Sequence, residues 1–360
     1  MKPMTAQGKN TNLRDVAERA GVSVATASRV LSGSAAVRPK TRERVERAVR
    51  DLLYVAPGRA ETTGAIGLLV PEFGNPVFAA LSQVMETKAT DAGFATIICN
   101  TGGSVTREVD YVHMLLERRV DGMVFICAEV TDARGDHAHY RQLLDQGARL
   151  VFVNGGSEHL PVTTVGVDER FSGRLATEHL LSLGHKRIAF AAGQDWALPA
   201  REKLLGRADA LRAAGLDPDR DIAHSEFTVN GGRAALRELL RGREPQPTGI
   251  ICSNDLMAIG VIQEATELGL RVPEDLSVVG FDGIDAAAWT QPPLTTVEQP
   301  IDQIAGTTIE ALCALIDDAS LTLPDYVFRP VLRLGGTTAP PAQPRRASAR
   351  RTSSMSANVS

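Results

Sequence analysis

The sequence predicts a small all-α helix-turn-helix head followed by an α/β body of two doubly wound parallel-sheet subdomains. Three observations predict it. Residues 12–53 carry three short runs with helical apolar spacing. From residue 66 onward, unbroken apolar runs alternate with amphipathic segments, the mark of parallel strands covered on both faces by crossover helices. The chain has 360 residues, 43% of them hydrophobic, which is more than one core accommodates. About nine or ten strands over roughly 270 residues suit two sheets better than one.

Charge divides the chain in the same way. Overall there are 39 Lys/Arg and 43 Asp/Glu, a formal net of −4. Residues 1–60 hold 12 bases against 5 acids, whereas the tail from Ala339 holds Arg345, Arg346, Arg350 and Arg351 with no acid. The segment between holds 23 bases against 38 acids. A basic head on an acidic body points to a polyanion as partner of the head alone. No run approaches the ~18 apolar residues of a membrane-spanning helix. Arg14, Asp15, Glu18, Arg19 and Arg29 interrupt the first thirty residues where a signal peptide would be apolar, so the cytoplasm is the expected compartment. Cys99, Cys127, Cys252 and Cys313 lie far apart among apolar residues and read as reduced core thiols. No metal or cofactor is expected. Phosphate-binding loops, zinc-protease motifs and nucleophile elbows are missing from the sequence, so neither is an enzyme.

Taken in order, residues 1–10 read as a disordered arm and 11–55 as the helical domain. Asn12 and Asp15 open the first helix, whose apolar face is Leu13, Val16, Ala17 and Ala20. Gly21 supplies the turn, Val22 plugs it, and Ser23 caps a second helix with Ala27, Val30 and Leu31 facing inward. That leaves Val24, Ala25, Ser28 and Arg29 outward near its first turns, the layout of a helix that enters the major groove. Pro39 starts a third helix bearing Arg42, Arg44, Arg47 and Arg50. Spacing alone leaves open a plain helical bundle with a solvated basic face.

Residues 56–65 read as a linker. The body, 66–338, carries strand-like runs at 66–70, 95–99, 122–126, 150–153, 188–192, 250–253 and 276–281, with helical segments between them. Its first lobe is expected at about 66–167 and 300–327, and its second at about 168–299 and 328–338. Residues 339–360, rich in Pro, Ser and Arg, read as a disordered basic tail. Asn100, Asn154, Asn254, Asp255 and Asp282 directly follow apolar strands, where parallel sheets present ligand groups. Each could equally be a turn or helix cap, and Asn254 or Asp255 must cap the helix beginning near Leu256.

The stretch NLRDVAERAGVSVATASRVL at 12–31 resembles the signature helix-turn-helix of the lactose/galactose-repressor (LacI/GalR) family of transcriptional regulators. Val37, TRERV at 41–45 and Tyr54 resemble its third helix and end. The likeness continues through IGLLVP at 66–71, NPVF at 75–78, LGHKRI at 183–188, SNDLMAIG at 253–260 and VPEDLSVVGFD at 272–282. It covers about nine-tenths of the chain and implies a periplasmic-binding-protein-like core. By this resemblance Val24 and Ala25 hold the variable specificity positions, where two small apolar side chains suit a thymine methyl. Arg29 would read guanine, while Ser23, Thr26, Ser28 and Arg38 would meet phosphates. Relatives place a hinge helix with a Leu wedge between head and body. Here Tyr54 reaches Ile66 about five residues sooner, no Leu is available, and Pro57-Gly58 precedes Arg59. Wedging is therefore expected to be weak or absent, with Arg59 tracking phosphate.

Carried onto this sequence, the family's effector positions are Asn75, Phe78, Asn154, Lys203, Phe227, Asn254, Asp282 and Gln299. Lys203 stands where relatives have Arg, a point charge in place of a rigid fork, and Asn154 replaces a frequent Asp. The set looks polyol-like, so a sugar or sugar derivative is favoured over a purine or no effector. Trp196 and Trp289 lie in loops that could rim the cleft, and His185 reads as structural. The expected function is a ligand-responsive repressor binding a pseudo-palindromic DNA operator as a homodimer. The alternative is a cytoplasmic ligand-binding clamshell with a weakened DNA head.

Overall fold

The computed structural model describes residues 13–31, 37–52, 63–132, 134–135, 137–157, 159–242 and 245–342. The arm, the Asn12 cap, Tyr54, Arg59 with most of the linker, and the four tail arginines lie outside the described residues. The chain forms two compact units, Met1–Thr63 and Gly64–Ser360.

In the first unit, α1 (Leu13–Ala20), α2 (Val24–Leu31) and α3 (Pro39–Leu52) share one small core. Val16, Ala17 and Ala20 meet Ala27 and Val30 of α2 and Val45 and Ala48 of α3. Gly21 adopts φ +61°, the left-handed residue that ends α1. Arg44 of α3 donates to the carbonyls of Ala20 at 2.5 Å and Gly21 at 3.1 Å, satisfying acceptors that a helix end leaves open. Leu31 departs from expectation and is 37% exposed. Successive helical residues point about 100° apart, so once Val30 faces the core Leu31 is carried off it.

The second unit holds two α/β lobes. Its elements run β1 (Ala65–Val70), α4 (Pro76–Asp91), β2 (Ala95–Asn100), α5 (Val105–Glu117), β3 (Gly122–Ile126), α6 (Ala138–Asp145), β4 (Leu150–Val153) and β5 (Thr164–Val167). The chain then crosses to α7 (Glu169–Ser182), β6 (Ile188–Ala192), α8 (Leu198–Ala213), β7 (Ile222–His224), α9 (Val229–Leu240), β8 (Gly249–Cys252), α10 (Asp255–Glu267), β9 (Ser277–Asp282) and β10 (Thr295–Glu298). It returns through α11 (Ile301–Asp317) and β11 (Tyr326–Phe328) and ends with β12 (Val331–Arg333).

One sheet has the order β11-β5-β4-β3-β1-β2, the other β12-β10-β9-β8-β6-β7. All pairings are parallel except β10 with β12. These are two doubly wound sheets, and the chain passes between them after β5, β10 and β11. The three-residue strands β7, β11 and β12 are too short for apolar periodicity to reveal. The central strands of both sheets are buried on both faces, as the neighbouring pairs Leu68/Leu69 and Ile250/Ile251 show at 0–1% exposure, whereas edge strand β2 leaves Ile98 42% exposed.

The lobes are packed together at the first turn of α4. Val77 of α4 is buried in the second lobe's core with Met257 and Ile284, and Phe78 packs against the cores of both lobes. The expected tail does not begin loose. Ala339 is pinned where its N–H donates to Ser277 Oγ at 3.0 Å and its carbonyl takes His185 Nε2 at 2.9 Å. His185 is buried, with Nδ1 on Thr248 Oγ1 at 2.8 Å, a structural residue. No helix among the described residues is long and apolar enough to cross a membrane.

Candidate functional site

On the head, the side chains of Ser23, Val24, Ala25, Ser28 and Arg29 are exposed and Thr26 is half-buried. Ser23 caps α2: its Oγ accepts the Thr26 N–H at 3.1 Å and lies 2.8 Å from Thr26 Oγ1. Those two hydroxyls are tied into the cap, while Val24, Ala25, Ser28 and Arg29 form the outward stripe. Val24, 42% exposed, is an apolar side chain left in solvent at the start of the helix. Arg38 directly precedes α3, where its carbonyl receives the N–H groups of Thr41 and Arg42, and its side chain is exposed.

Between the lobes, a hydrogen-bonded chain brings four of the effector candidates together. Asn75 caps α4 through Oδ1, which accepts the Val77 N–H at 3.3 Å, and its Nδ2 donates across to Asp282 Oδ2 at 3.2 Å. Gln299 donates to Asp282 Oδ1 at 2.8 Å and accepts from Asn154 Nδ2 at 3.2 Å. Asn154 Oδ1 is buried without a hydrogen-bond partner. Both strand-end residues hold positive φ, +56° at Asn154 and +109° at Asp282, so the backbone turns sharply to present them. Burial pushes the Asp282 carboxyl up to about 6, against the opposing pull of Lys203 and the amides of Asn75 and Gln299.

Lys203 is buried, its ammonium 2.5 Å from Glu169 Oε2 and 5.2 Å from the centre of the Phe281 ring. Glu169 itself is raised by burial. Cys127, at φ +42°, shares this electrostatic environment with Glu169, Lys203 and Asp282, and burial lifts its thiol to about 12, so it stays neutral. Neither Glu169 nor Cys127 was legible as a site residue. An acid in a first helical turn and an apolar-flanked cysteine each have ordinary structural uses.

Phe227 is held by its own backbone, since its carbonyl accepts Asn254 Nδ2 at 3.1 Å. Asn254 Oδ1 caps α10 at Met257 N, 2.9 Å away. Asn254 is thus engaged as a cap and as a brace for Phe227. A Cβ on Gly193 would come within 2.0 Å of the Phe227 ring, so glycine is what lets the ring lie there. Phe78 sits at the lobe junction described above. Asn100, by contrast, makes a local turn to Gly102 N at 3.0 Å and stays out of the cluster.

Asp255 is fully buried and accepts three bonds, from Gly283 N at 2.8 Å, Ile284 N at 2.9 Å and Thr296 Oγ1 at 2.6 Å. It anchors the turn directly after Asp282. Burial pushes it up to about 8.

A second lobe–lobe contact joins the loop after β3 to the start of α8. Asp132 and Ala197 pair as an isolated antiparallel bridge, and Arg134 stands 5.3 Å from the Trp196 ring centre. Glu108, His139 and Tyr140 brace that loop. Glu108 Oε2 accepts the Glu129 N–H at 3.2 Å, while Tyr140 bonds both Glu108 and the Val130 N–H. Trp289 stands 78% exposed.

Comparison with known proteins identifies two parts of the chain. Residues 12–56 match the family model "Bacterial regulatory proteins, lacI family", and residues 177–338 match "Periplasmic binding protein-like domain". An HTH-type transcriptional regulator in the aml 5′ region of Streptomyces limosus is 41% identical over 334 residues, covering 91% of this chain and 94% of that protein. Among solved structures, a complex of the transcriptional regulator CelR with cellobiose is 31% identical with a TM-score of 0.70, covering 91% of this chain and 99% of that one. The lac repressor dimer bound to operator and the anti-inducer ONPF is 28% identical with a TM-score of 0.71, covering 92% and 100%. With the helix-turn-helix on one unit and the two-lobed cleft on the other, the chain belongs to the LacI family of bacterial transcriptional regulators, and is not an enzyme.

Proposed function

We propose that this regulator represses transcription as a homodimer on a near-palindromic operator and that a neutral polyhydroxyl effector, a sugar or sugar derivative, binds between its lobes. A single recognition helix rarely supplies enough affinity, and two-fold pairing of two heads meets that need. The exposed face of α4 is the proposed pairing surface. The cytoplasm, where its DNA lies, is the proposed compartment.

The observation that carries the effector reading is the chain Asn75–Asp282–Gln299–Asn154, which joins both lobes. Amide and carboxylate groups of this kind exchange readily with sugar hydroxyls, which both donate and accept. The ring of Phe227 offers an apolar face to the same ligand. The Lys203 charge is met by Glu169 and Asp282, so the cluster favours a neutral ligand over a phosphate or carboxylate. Phe227 would stack a purine equally well, yet the unpartnered acceptor Asn154 Oδ1 favours a donor-rich polyol. An effector replacing these internal bonds changes lobe closure, a coupling of typically ~1–3 kcal/mol to DNA affinity.

Selection of bound sequences from random duplex DNA with full-length protein tests this. A recovered inverted repeat whose affinity changes on adding a sugar is the expected result. Salt-sensitive binding without an enriched sequence would overturn the repressor reading in favour of a ligand sensor with a weakened head.

A further inference from the structure

Next to Gly193, on the second lobe, lies a pocket of about 590 Å³, walled by Gln194, Asp195, Trp196, His224, Glu226 and Asn230. Gly193 stands between this pocket and Phe227, the ring proposed above to face the effector. Its missing side chain makes room for that ring, while its carbonyl accepts His224 Nδ1–H at 2.9 Å on the pocket side. The wall combines one indole with two carboxylates and two carboxamides. An indole offers a flat apolar face to the C–H face of a pyranose ring, and the carboxylates and amides supply partners for its hydroxyls. A lone apolar pocket or a purely acidic one would not present that mixture.

Trp196 is also the residue that the opposite lobe grips. Arg134 reaches its ring from the first lobe while Asp132 holds the guanidinium by bonds of 2.9 and 2.7 Å. The adjoining Ala197 forms the interlobe bridge. Trp196 walls the pocket and Arg134 does not.

We propose that this pocket is a second sugar subsite with Trp196 as its platform, which makes the effector a disaccharide or longer oligosaccharide. Arg134 is a positioning residue: it fixes the indole when the lobes are together, so that chain length is read at the lobe–lobe contact. The inference rests on the sugar reading above.

The chain has two tryptophans, Trp196 and Trp289. Trp289→Phe therefore leaves Trp196 as the only indole in the full-length protein. Its emission and binding heat are followed with glucose, cellobiose, maltose and maltotriose. At least one disaccharide is expected to bind tenfold or more tightly than glucose and to shift Trp196 emission. Trp196→Ala should bring that disaccharide to within about twofold of glucose with glucose itself unchanged, and Trp196→Phe should restore part of the gain. Arg134→Ala should lower disaccharide affinity alone. Melting temperature and operator binding monitor folding of each variant. A chain-length preference that survives Trp196→Ala, or glucose binding as well as its oligomers, overturns the second subsite and leaves the sugar reading standing. Failure of all four sugars, with a purine base binding instead or nothing binding, overturns both.

Discussion

The side-chain amide of Asn75 donates to the carboxylate of Asp282 at 3.2 Å, and the two residues belong to opposite lobes. The bond is buried, so the acceptor's charge state governs it. Asp282 accepts from two amides, Asn75 and Gln299, which suits the ionised form, yet burial holds its pKa near 6. A polyol donating to this carboxylate also needs it ionised. Effector affinity should therefore weaken as pH falls through about 6, by about tenfold between pH 7.5 and pH 5. Asp282→Asn should bind weakly with a flat profile. Calorimetric titration at several pH values is the check, and a steep profile in the variant would remove Asp282 as its source.

Gly193→Ala is a probe of the body's ligand-binding region as distinct from the head. The added carbon would meet the Phe227 ring at 2.0 Å, forcing the ring to swing away. Effector affinity should fall at least tenfold with operator affinity unchanged, as read by calorimetry and gel shift.

Asp255 makes stability depend on pH in an unusual sense. Burial raises its folded-state pKa to about 8, so the native protein holds a proton that the unfolded chain sheds near pH 4. This contribution to stability declines as pH rises from about 4 to about 8 and is level above. Asp255→Asn keeps an acceptor for Gly283 and Ile284, and its melting temperature should vary with pH less steeply than the wild type's in that window. Asp255→Ala strands three buried donors and should cost about 3 kcal/mol or more in denaturant melts.

On the head, Arg29→Ala should cost ~1–3 kcal/mol on the selected operator and relax one guanine position, whereas Arg38→Ala should weaken all sequences alike. Binding-site selection on each variant distinguishes the two.

The sequence between head and body gives an expectation of its own. The stretch between Tyr54 and Ile66 contains no Leu, the side chain that would wedge a base step apart. Operator DNA should bend less than in a complex made by a relative with a full hinge helix, as measured by circular permutation. An equal bend would show that another side chain does the wedging.

Much of this was legible in the sequence because burial leaves a plain record. Runs such as IGLLV at 66–70 and VVGF at 278–281 carry no polar side chain when both sheet faces are covered, and Gly21 followed by Val22 and Ser23 spells a turn and a cap. Asp282 and Gln299 could be named, but their bond could not, because it depends on how β9 and β10 are registered. Asn254 was ambiguous between cap and ligand, and its Oδ1 proves to be a cap. Glu169, Asp132 and Arg134 gave no signal: their partners Lys203, Ala197 and Trp196 lie 34 to 65 residues away, and only the packing of the lobes selects them.

Helix α4 has its first turn seated in both hydrophobic cores through Val77 and Phe78, while its remaining turns belong to the first lobe. Its 16 residues make a rod of about 24 Å. A tilt of about 5° at the seated end moves the far end by about 2 Å. With Phe78 as its fulcrum, a helix so seated would work as a lever: under the proposed reading, a small adjustment around an effector would become a displacement the size of a covalent bond or more at the surface of the first lobe.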